Sequence, residues 1–255
     1  MRIFTVSDIH TNYQENNRWV NSLSNFDFTD DCLLLAGDIS DSVECIDRCF
    51  LQLTKKFRKL FYVPGNHELW VHNNAQENSV ERFQKLLDLA QEYGVITQQK
   101  SFGTTTIIPL FSWYDLKFGA LKDTLRNRWM DFSNCKWPEG LDNNPEAQNS
   151  YFLQKNKIEH IPSSRHVITF SHFLPRIDVM PNYIPHRFRD IYPVLGSPLL
   201  DQQIRSLQSK IHIYGHSHVN HKTVIDGIQY INNAFGYPSE ARITAKSLLE
   251  VAEIL

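Results

Sequence analysis

Residues 32–38 read CLLLAGD, a continuous apolar run that ends in a tight Gly-Asp turn. A short apolar run bounded by a turn predicts a strand that is buried on both faces, as in parallel sheets. The same arrangement occurs twice more: Arg2–Val6 precedes Asp-Ile-His at 8–10, and Leu60–Val63 precedes Gly-Asn-His-Glu at 65–68. Polar side chains capable of chemistry therefore recur directly after predicted strands.

Between these strands, apolar residues recur at spacings of three and four, which predicts amphipathic helices. The clearest helical patterns lie at residues 43–53, 79–90 and 200–207. Further strands are predicted at 95–98, 104–109, 166–170 and 211–214, with a hairpin around Asp226-Gly227. This alternation predicts an α/β fold with a largely parallel sheet, in which ligands gather at the carboxyl ends of the strands.

Length and composition place the chain among ordinary globular proteins. Its 255 residues are enough for one large domain, which we expect to span 1–255, since we find no linker or internal repeat. The net charge of −2 gives no reason to expect bulk nucleic acid or an anionic membrane as partner. No apolar run approaches the roughly 18 residues of a membrane span. We expect a cytoplasmic protein whose four cysteines are reduced.

The segment from about 111 to 161 breaks the strand–helix rhythm and is interpreted as an inserted cap. Trp113 and Tyr114 in this cap are candidates for a substrate-stacking wall, with packing in the core as the equal alternative. Arg126, Arg128 and Arg176 are candidate clamps for an anionic ester, with a solvated surface role as the alternative.

Five fragments carry the chemistry: the three strand-end motifs, a lone His172, and Gly-His-Ser-His at 215–218. They supply carboxylate and amide oxygens and imidazole nitrogens, the ligand types that bind divalent metals. Two metal ions about 3.5–4 Å apart can hold both the attacking and leaving oxygens of a phosphoryl transfer. A metal-dependent phosphoester hydrolase is therefore the leading hypothesis.

Each fragment also has a structural interpretation when it is taken alone. Asp8 is a favoured helix cap, Asp38 fits an ordinary turn, and His172 fits a histidine that is hydrogen-bonded near the core. His67 directly follows Asn66, so its side chain should diverge from that of a ligand. We expect His67 to meet substrate, and Glu68 to orient His67 or a ligand.

Taken together, the fragments resemble the calcineurin-like metallophosphoesterases, whose pattern is Asp-x-His, Gly-Asp, Gly-Asn-His-Glu or Asp, a lone His and Gly-His-x-His. The resemblance runs from Arg2 to about Ile231 and does not cover the cap. It implies a sandwich of two mixed β-sheets flanked by helices, with His67 as the catalytic histidine. It also implies two divalent metal ions, one held by Asp8, His10, Asp38 and His218 and the other by Asp38, Asn66, His172 and His216.

The expected reaction is attack of a metal-bound hydroxide on phosphorus, with His67 assisting the leaving group. Mn²⁺, Fe and Zn²⁺ all suit these ligands, and the ligand chemistry does not choose among them. The expected substrate is a phosphorylated small molecule or another phosphoester, so the enzyme is a phosphatase or phosphodiesterase. The alternatives are a nuclease or cyclic-nucleotide phosphodiesterase on the same site, and a scaffold without catalysis.

Overall fold

The computed structural model describes residues 1–71, 76–159, 161 and 166–254. Strands and helices alternate through most of these ranges. The strands are β1 Arg2–Val6, β2 Cys32–Ala36, β3 Lys59–Val63, β4 Lys100–Phe102, β5 Thr105–Pro109, β6 His166–Phe170, β7 Ile211–Tyr214, β8 His221–Ile225, β9 Ile228–Asn232 and β10 Leu249–Glu253. The helices are α1 Gln14–Ser22, α2 Val43–Lys56, α3 Ser79–Glu92, α4 Asp123–Arg126, α5 Asp131–Asn134, α6 Pro145–Lys155 and α7 Pro198–Ser206.

The strands form two mixed sheets, as the family resemblance implied. One sheet has the order β10-β1-β2-β3, in which β1, β2 and β3 are parallel and β10 is antiparallel. The other has the order β4-β5-β6-β7-β9-β8, with a parallel centre and antiparallel edge strands. The parallel strands of each sheet end on the same side, which gathers the loops that follow them.

The apolar strands separate three layers of core. In β2, Leu34 faces the core between the two sheets, whereas Leu33 and Leu35 face the helices outside. This alternation follows from the two-residue period of a strand, and burial on both faces explains why β2 is continuously apolar. A third apolar layer, which includes Leu200 and Ile204 of α7, packs on the outside of the second sheet.

The structure differs from the predicted elements in the outer strands. Residues 95–98 were expected to form a strand, but Ile96 makes only an isolated bridge to Phe61. The edge strands β4 and β10 were not predicted. Their side chains are half-buried or exposed, so their sequences carry no strong apolar pattern. The predicted hairpin is confirmed: β8 and β9 pair across Asp226 and Gly227, both with positive φ.

The segment 111–161 carries three short helices, α4 to α6, and its residue 160 lies outside the described ranges. It is joined to the start of α3, since Ser79 donates its backbone N–H to Lys136 O at 2.7 Å.

All four cysteines are free thiols, as expected. Within the described ranges, no helix combines the length and apolar character needed to cross a membrane.

Candidate metal centre

The seven candidate ligands lie in loops that directly follow the parallel strands of both sheets. Backbone pairing continues past the strand ends, because Asp8 N donates to Gly37 O at 2.9 Å and His10 N donates to Asp38 O at 3.0 Å. This pairing sets the two fragments side by side. The structure thus brings together residues that the sequence separates by more than 200 positions, at the edge predicted for a ligand site.

Two groups of ligand atoms form at this edge. The first contains Asp8, His10, Asp38 and His218, all buried. His218 Nε2 lies 3.2 Å from Asp8 Oδ1 and 3.2 Å from His10 Nε2. These residues are the set that the family resemblance assigns to one metal ion.

The second group contains Asp38, His172 and His216, with Asn66 beside them. His172 Nε2 lies 3.1 Å from His216 Nδ1 and 3.1 Å from Asn66 Oδ1. These residues are the set that the resemblance assigns to the other ion.

Asp38 belongs to both groups, and its two carboxylate oxygens face different ones. Asp38 Oδ1 is 3.5 Å from His172 Nε2, whereas Oδ2 is 3.9 Å from His10 Nε2. One carboxylate therefore stands between the two groups, as a bridging ligand would.

Hydrogen bonding in the second group fits a cation. His172 Nδ1 donates to Ala36 O at 2.9 Å and His216 Nε2 donates to Val194 O at 3.0 Å, because a carbonyl can only accept. Burial lowers the pKa of both imidazoles, so the other ring nitrogens, His172 Nε2 and His216 Nδ1, carry lone pairs. These two ring nitrogens and the carbonyl oxygen of Asn66 are all hydrogen-bond acceptors, and they face one another. No hydrogen atom lies between them. A divalent metal ion satisfies such an arrangement.

The charges in the centre also favour a cation. Burial raises the pKa of Asp38 well above its usual range, and the charges of Glu68 and Asp8 raise it further. The pKa of His218 is raised to about 10, because the Asp8 charge and hydrogen bonds to Asp8 and Glu240 outweigh burial, which lowers it. The buried carboxylates thus stabilise a positive charge on His218. A metal ion would supply positive charge at the same place.

Strained backbone accompanies the ligands. Positive φ occurs at Asp8, His10, Asp38, His216 and His218, with values from 47° to 66°. For a residue with a side chain this left-handed conformation costs about 1–2 kcal/mol. Its concentration at one edge of the fold marks a functional site, since such strain persists only where the surroundings impose it.

Two buried or partly buried glutamates hold these turns in place. Glu68 accepts backbone N–H bonds from Asp38 at 3.0 Å, Ile39 at 2.6 Å and Gly65 at 2.9 Å. It thereby orients the candidate ligand Asp38. Glu240 Oε2 accepts from His218 Nδ1 at 2.6 Å, which fixes the ring of that ligand. No motif surrounds Glu240 in the sequence, so its role was not predicted.

His67 lies beside the two groups and belongs to neither. Its Nε2 is 3.8 Å from Asp38 Oδ2 and 3.4 Å from the hydroxyl of Tyr237. Its ring stacks on Trp70, with the ring centroids 3.7 Å apart. The side chain is 14% exposed, whereas that of Asp38 is 2% exposed. His67 can therefore meet a molecule that enters from solvent. Tyr237 is a further neighbour that no sequence motif indicated.

Trp113 and Tyr114 occupy the core between the sheets. They are 1% and 2% exposed, and Trp113 packs its ring against Phe173 and Trp137. This corrects the expectation of a stacking wall for substrate, because neither ring presents a face to solvent. The alternative of core packing describes both residues.

Two of the three candidate arginine clamps contact side chains outside the two ligand groups. Arg176 pairs with Asp178 at 2.7 Å and with Asp226 at 3.4 Å. Arg126 lies over the ring of Phe132, and Arg128 is exposed. Their contact with a substrate stays a prediction.

Gly37 is required at the turn before Asp38, and its replacement by alanine should destabilise the fold. Gly37 has φ of 82°, and an added Cβ would lie 2.7 Å from His172 Cγ. We expect Gly37→Ala to lower the free energy of unfolding of the metal-free protein by about 3 kcal/mol or more in urea titrations.

Gly94→Ala is the matched control for this loss. Gly94 has φ of 69°, but an added Cβ would meet no atom within 4 Å. It should show only the cost of the left-handed backbone, about 1–2 kcal/mol. Equal losses in the two variants would contradict the predicted overlap with His172.

Comparisons with known proteins agree with this geometry. The sequence model of the family described as calcineurin-like phosphoesterase matches residues 1–220. The [acyl-carrier-protein] phosphodiesterase PptH of Mycobacterium tuberculosis is 26% identical over 269 residues, covering 94% of this chain and 79% of that protein. The uncharacterized protein L509 of Acanthamoeba polyphaga mimivirus is 28% identical over 276 residues, covering 94% of this chain and 93% of that protein.

A solved structure shares the fold along nearly its whole length. It is the crystal structure of phosphopantetheinyl hydrolase (PptH) from Mycobacterium tuberculosis, with a TM-score of 0.80 and 22% sequence identity. The alignment covers 98% of this chain and 95% of that one. Coverage of this extent takes in most of the segment 111–161 and both sheets.

Proposed function

The chain belongs to the calcineurin-like phosphoesterases, a family of metal-dependent enzymes, and we propose that it is a phosphodiester hydrolase with two divalent metal ions. The observation that carries this proposal is the position of Asp38. Its two oxygens face two separate groups of buried imidazoles, with Oδ1 3.5 Å from His172 Nε2 and Oδ2 3.9 Å from His10 Nε2. Paired sites of this kind suit in-line displacement at phosphorus.

Two divalent ions held there would polarise the phosphoryl oxygens and lower the pKa of water toward neutrality. The protein supplies the rest of the chemistry. Asp38 offsets repulsion between the positive charges, and Glu68 holds the Asp38 turn in place. The water releases a proton to solvent as its oxygen bonds to phosphorus, and the bond from phosphorus to the ester oxygen breaks. His67, at the solvent side, donates a proton to the departing oxygen.

For the substrate, we propose the diester that joins phosphopantetheine to an acyl carrier protein. The support is the match to PptH across 94% of this chain, together with the shared fold. The ordinary net charge of −2 gives no basis for a long nucleic-acid track. Mn²⁺, Fe and Zn²⁺ each suit the nitrogen and oxygen ligands.

The test is a substrate panel with Mn²⁺-loaded protein. It contains an acyl carrier protein bearing phosphopantetheine, bis-p-nitrophenyl phosphate, p-nitrophenyl phosphate and a cyclic nucleotide. We expect mass spectrometry to detect loss of phosphopantetheine from the carrier protein, and turnover of the bis-ester to exceed that of the monoester. A chelator should abolish both activities, and added Mn²⁺ should restore them. Hydrolysis of the monoester alone, or of the cyclic nucleotide alone, would contradict the proposal. A protein that takes up no Mn²⁺ would instead favour a scaffold without catalysis.

A further inference from the structure

Asp131 of α5 is a buried carboxylate at which several hydrogen-bond donors converge. It is 2% exposed and lies in the segment 111–161, outside the motifs that carry the candidate ligands. Asp131 Oδ1 accepts from Asn66 Nδ2 at 2.8 Å and from Trp70 Nε1 at 2.7 Å. Asp131 Oδ2 accepts from Trp129 Nε1 at 2.7 Å. Three N–H partners thus occupy most of the roughly four acceptor positions that a carboxylate offers.

This acceptor decides which way the Asn66 amide points. An amide can present either its oxygen or its NH₂ group in a given direction, and the two orientations have nearly the same shape. Asp131 Oδ1 accepts from the Trp70 indole, which can only donate, and Asn66 turns its NH₂ group toward the same oxygen. Its carbonyl oxygen then faces His172 Nε2, 3.1 Å away. The flipped amide would instead aim two hydrogens into the second group, where a metal ion could not be bound.

The two indoles on Asp131 pack against histidines of the centre, one beside the second group and one in it. Trp70 stacks on the ring of His67, and Trp129 packs edge-on against the ring of His216, with centroids 5.8 Å apart. One carboxylate therefore holds Asn66 directly and also holds the indoles that pack against His67 and His216.

We propose that Asp131 is a positioning residue for the second metal ion, because it holds the Asn66 amide with its oxygen toward His172 and His216. This inference rests on the proposed two-metal function. Groups that orient metal ligands in this way usually change metal affinity by about 10–100-fold when they are replaced.

The test is a Mn²⁺ titration of the purified metal-free protein by calorimetry. We expect the wild type to bind two ions, and Asp131→Asn to bind the second ion about 10–100-fold more weakly, with the first unchanged. An asparagine at 131 can donate, so it permits the flipped Asn66 amide. Asp115→Asn is the matched control, since Asp115 is a 3% exposed carboxylate in the same segment, bonded to Ser197 at 2.6 Å. It should bind both ions like the wild type.

An exchanged pair gives a second measurement. In the double variant Asn66→Asp/Asp131→Asn, the carboxylate and amide trade places, so the total charge is kept and the residue at 66 again offers an oxygen to the second ion. We expect this variant to recover part of the second-site affinity, and it also serves if Asp131→Asn fails to fold. Tight binding of two ions by folded Asp131→Asn, or no recovery in the exchanged pair, would overturn the proposal. A wild type that binds no Mn²⁺ would instead overturn the proposed function itself.

Discussion

Asp38→Asn should lose both metal ions and lower phosphodiester hydrolysis by at least about 10³-fold, since metal ions supply several kcal/mol of transition-state stabilisation. The variant keeps one side-chain oxygen but loses the second and the negative charge. In the wild type those oxygens face His172 at 3.5 Å and His10 at 3.9 Å. With one oxygen gone, one group lacks a ligand, and repulsion between two cations is no longer offset.

The backbone should tolerate this change. Asp38 has φ of 55°, a left-handed conformation that asparagine also adopts readily. The backbone N–H of His67, which donates to Asp38 Oδ1 at 3.1 Å, keeps an acceptor in the asparagine variant. The metal-free variant should therefore be at least as stable in urea as the metal-free wild type, because a buried negative charge near Asp8 and Glu68 has been removed.

Metal analysis of the purified protein checks the prediction, with Asp31→Asn as control. Asp31 is a 4% exposed carboxylate that pairs with Arg2, and it precedes β2 at the edge opposite the centre. Asp31→Asn should lower the free energy of unfolding but leave metal content and activity close to those of the wild type. If Asp38→Asn retained two tightly bound ions, the proposed bridging role of Asp38 would be wrong.

The sequence predicted that these fragments meet, because each is a local motif and the topology of parallel strands joins them. Each of the motifs at Asp8, Asp38 and Asn66 follows an apolar strand, and parallel strands end at one edge. The order of strands within the two sheets was not needed to bring these residues together. It was enough that the apolar runs formed neighbouring parallel strands.

The residues that the sequence did not reveal act through tertiary contacts. Asp131 lies 65 positions from Asn66, and Glu240 lies 22 positions from His218, without a repeating pattern to link either pair. An acidic residue in a polar segment has the same local signature whether it is solvated or buried beneath a ligand. Trp113 failed as a substrate candidate for a related reason, since a tryptophan after a strand fits the core and a binding wall equally well.

The elements that were predicted wrongly lie where apolar pattern is weakest. Residues 95–98 form a single bridge, because Ile96 exchanges backbone bonds with Leu60 and Tyr62 only. The antiparallel strand β10 pairs with β1 through residues that are half-buried or exposed, so nothing in its composition distinguishes it from a loop. Pairing with an existing sheet edge, rather than intrinsic pattern, forms that strand.

His67→Ala should lower turnover by about 10²–10⁴-fold while two metal ions stay bound, since proton transfer from a positioned histidine contributes about that much. His67 lies outside both ligand groups, with Nε2 3.8 Å from Asp38 Oδ2 and its ring on Trp70.

Comparing two leaving groups isolates the proton transfer. The loss should be large for an alkyl ester, whose leaving oxygen needs a proton, and small for bis-p-nitrophenyl phosphate, whose p-nitrophenolate departs without one. His166→Ala, at an exposed position that begins β6, is the control and should change neither rate. Equal losses on the two substrates would show that His67 stabilises phosphoryl charge instead, and loss of metal together with activity would make it a ligand.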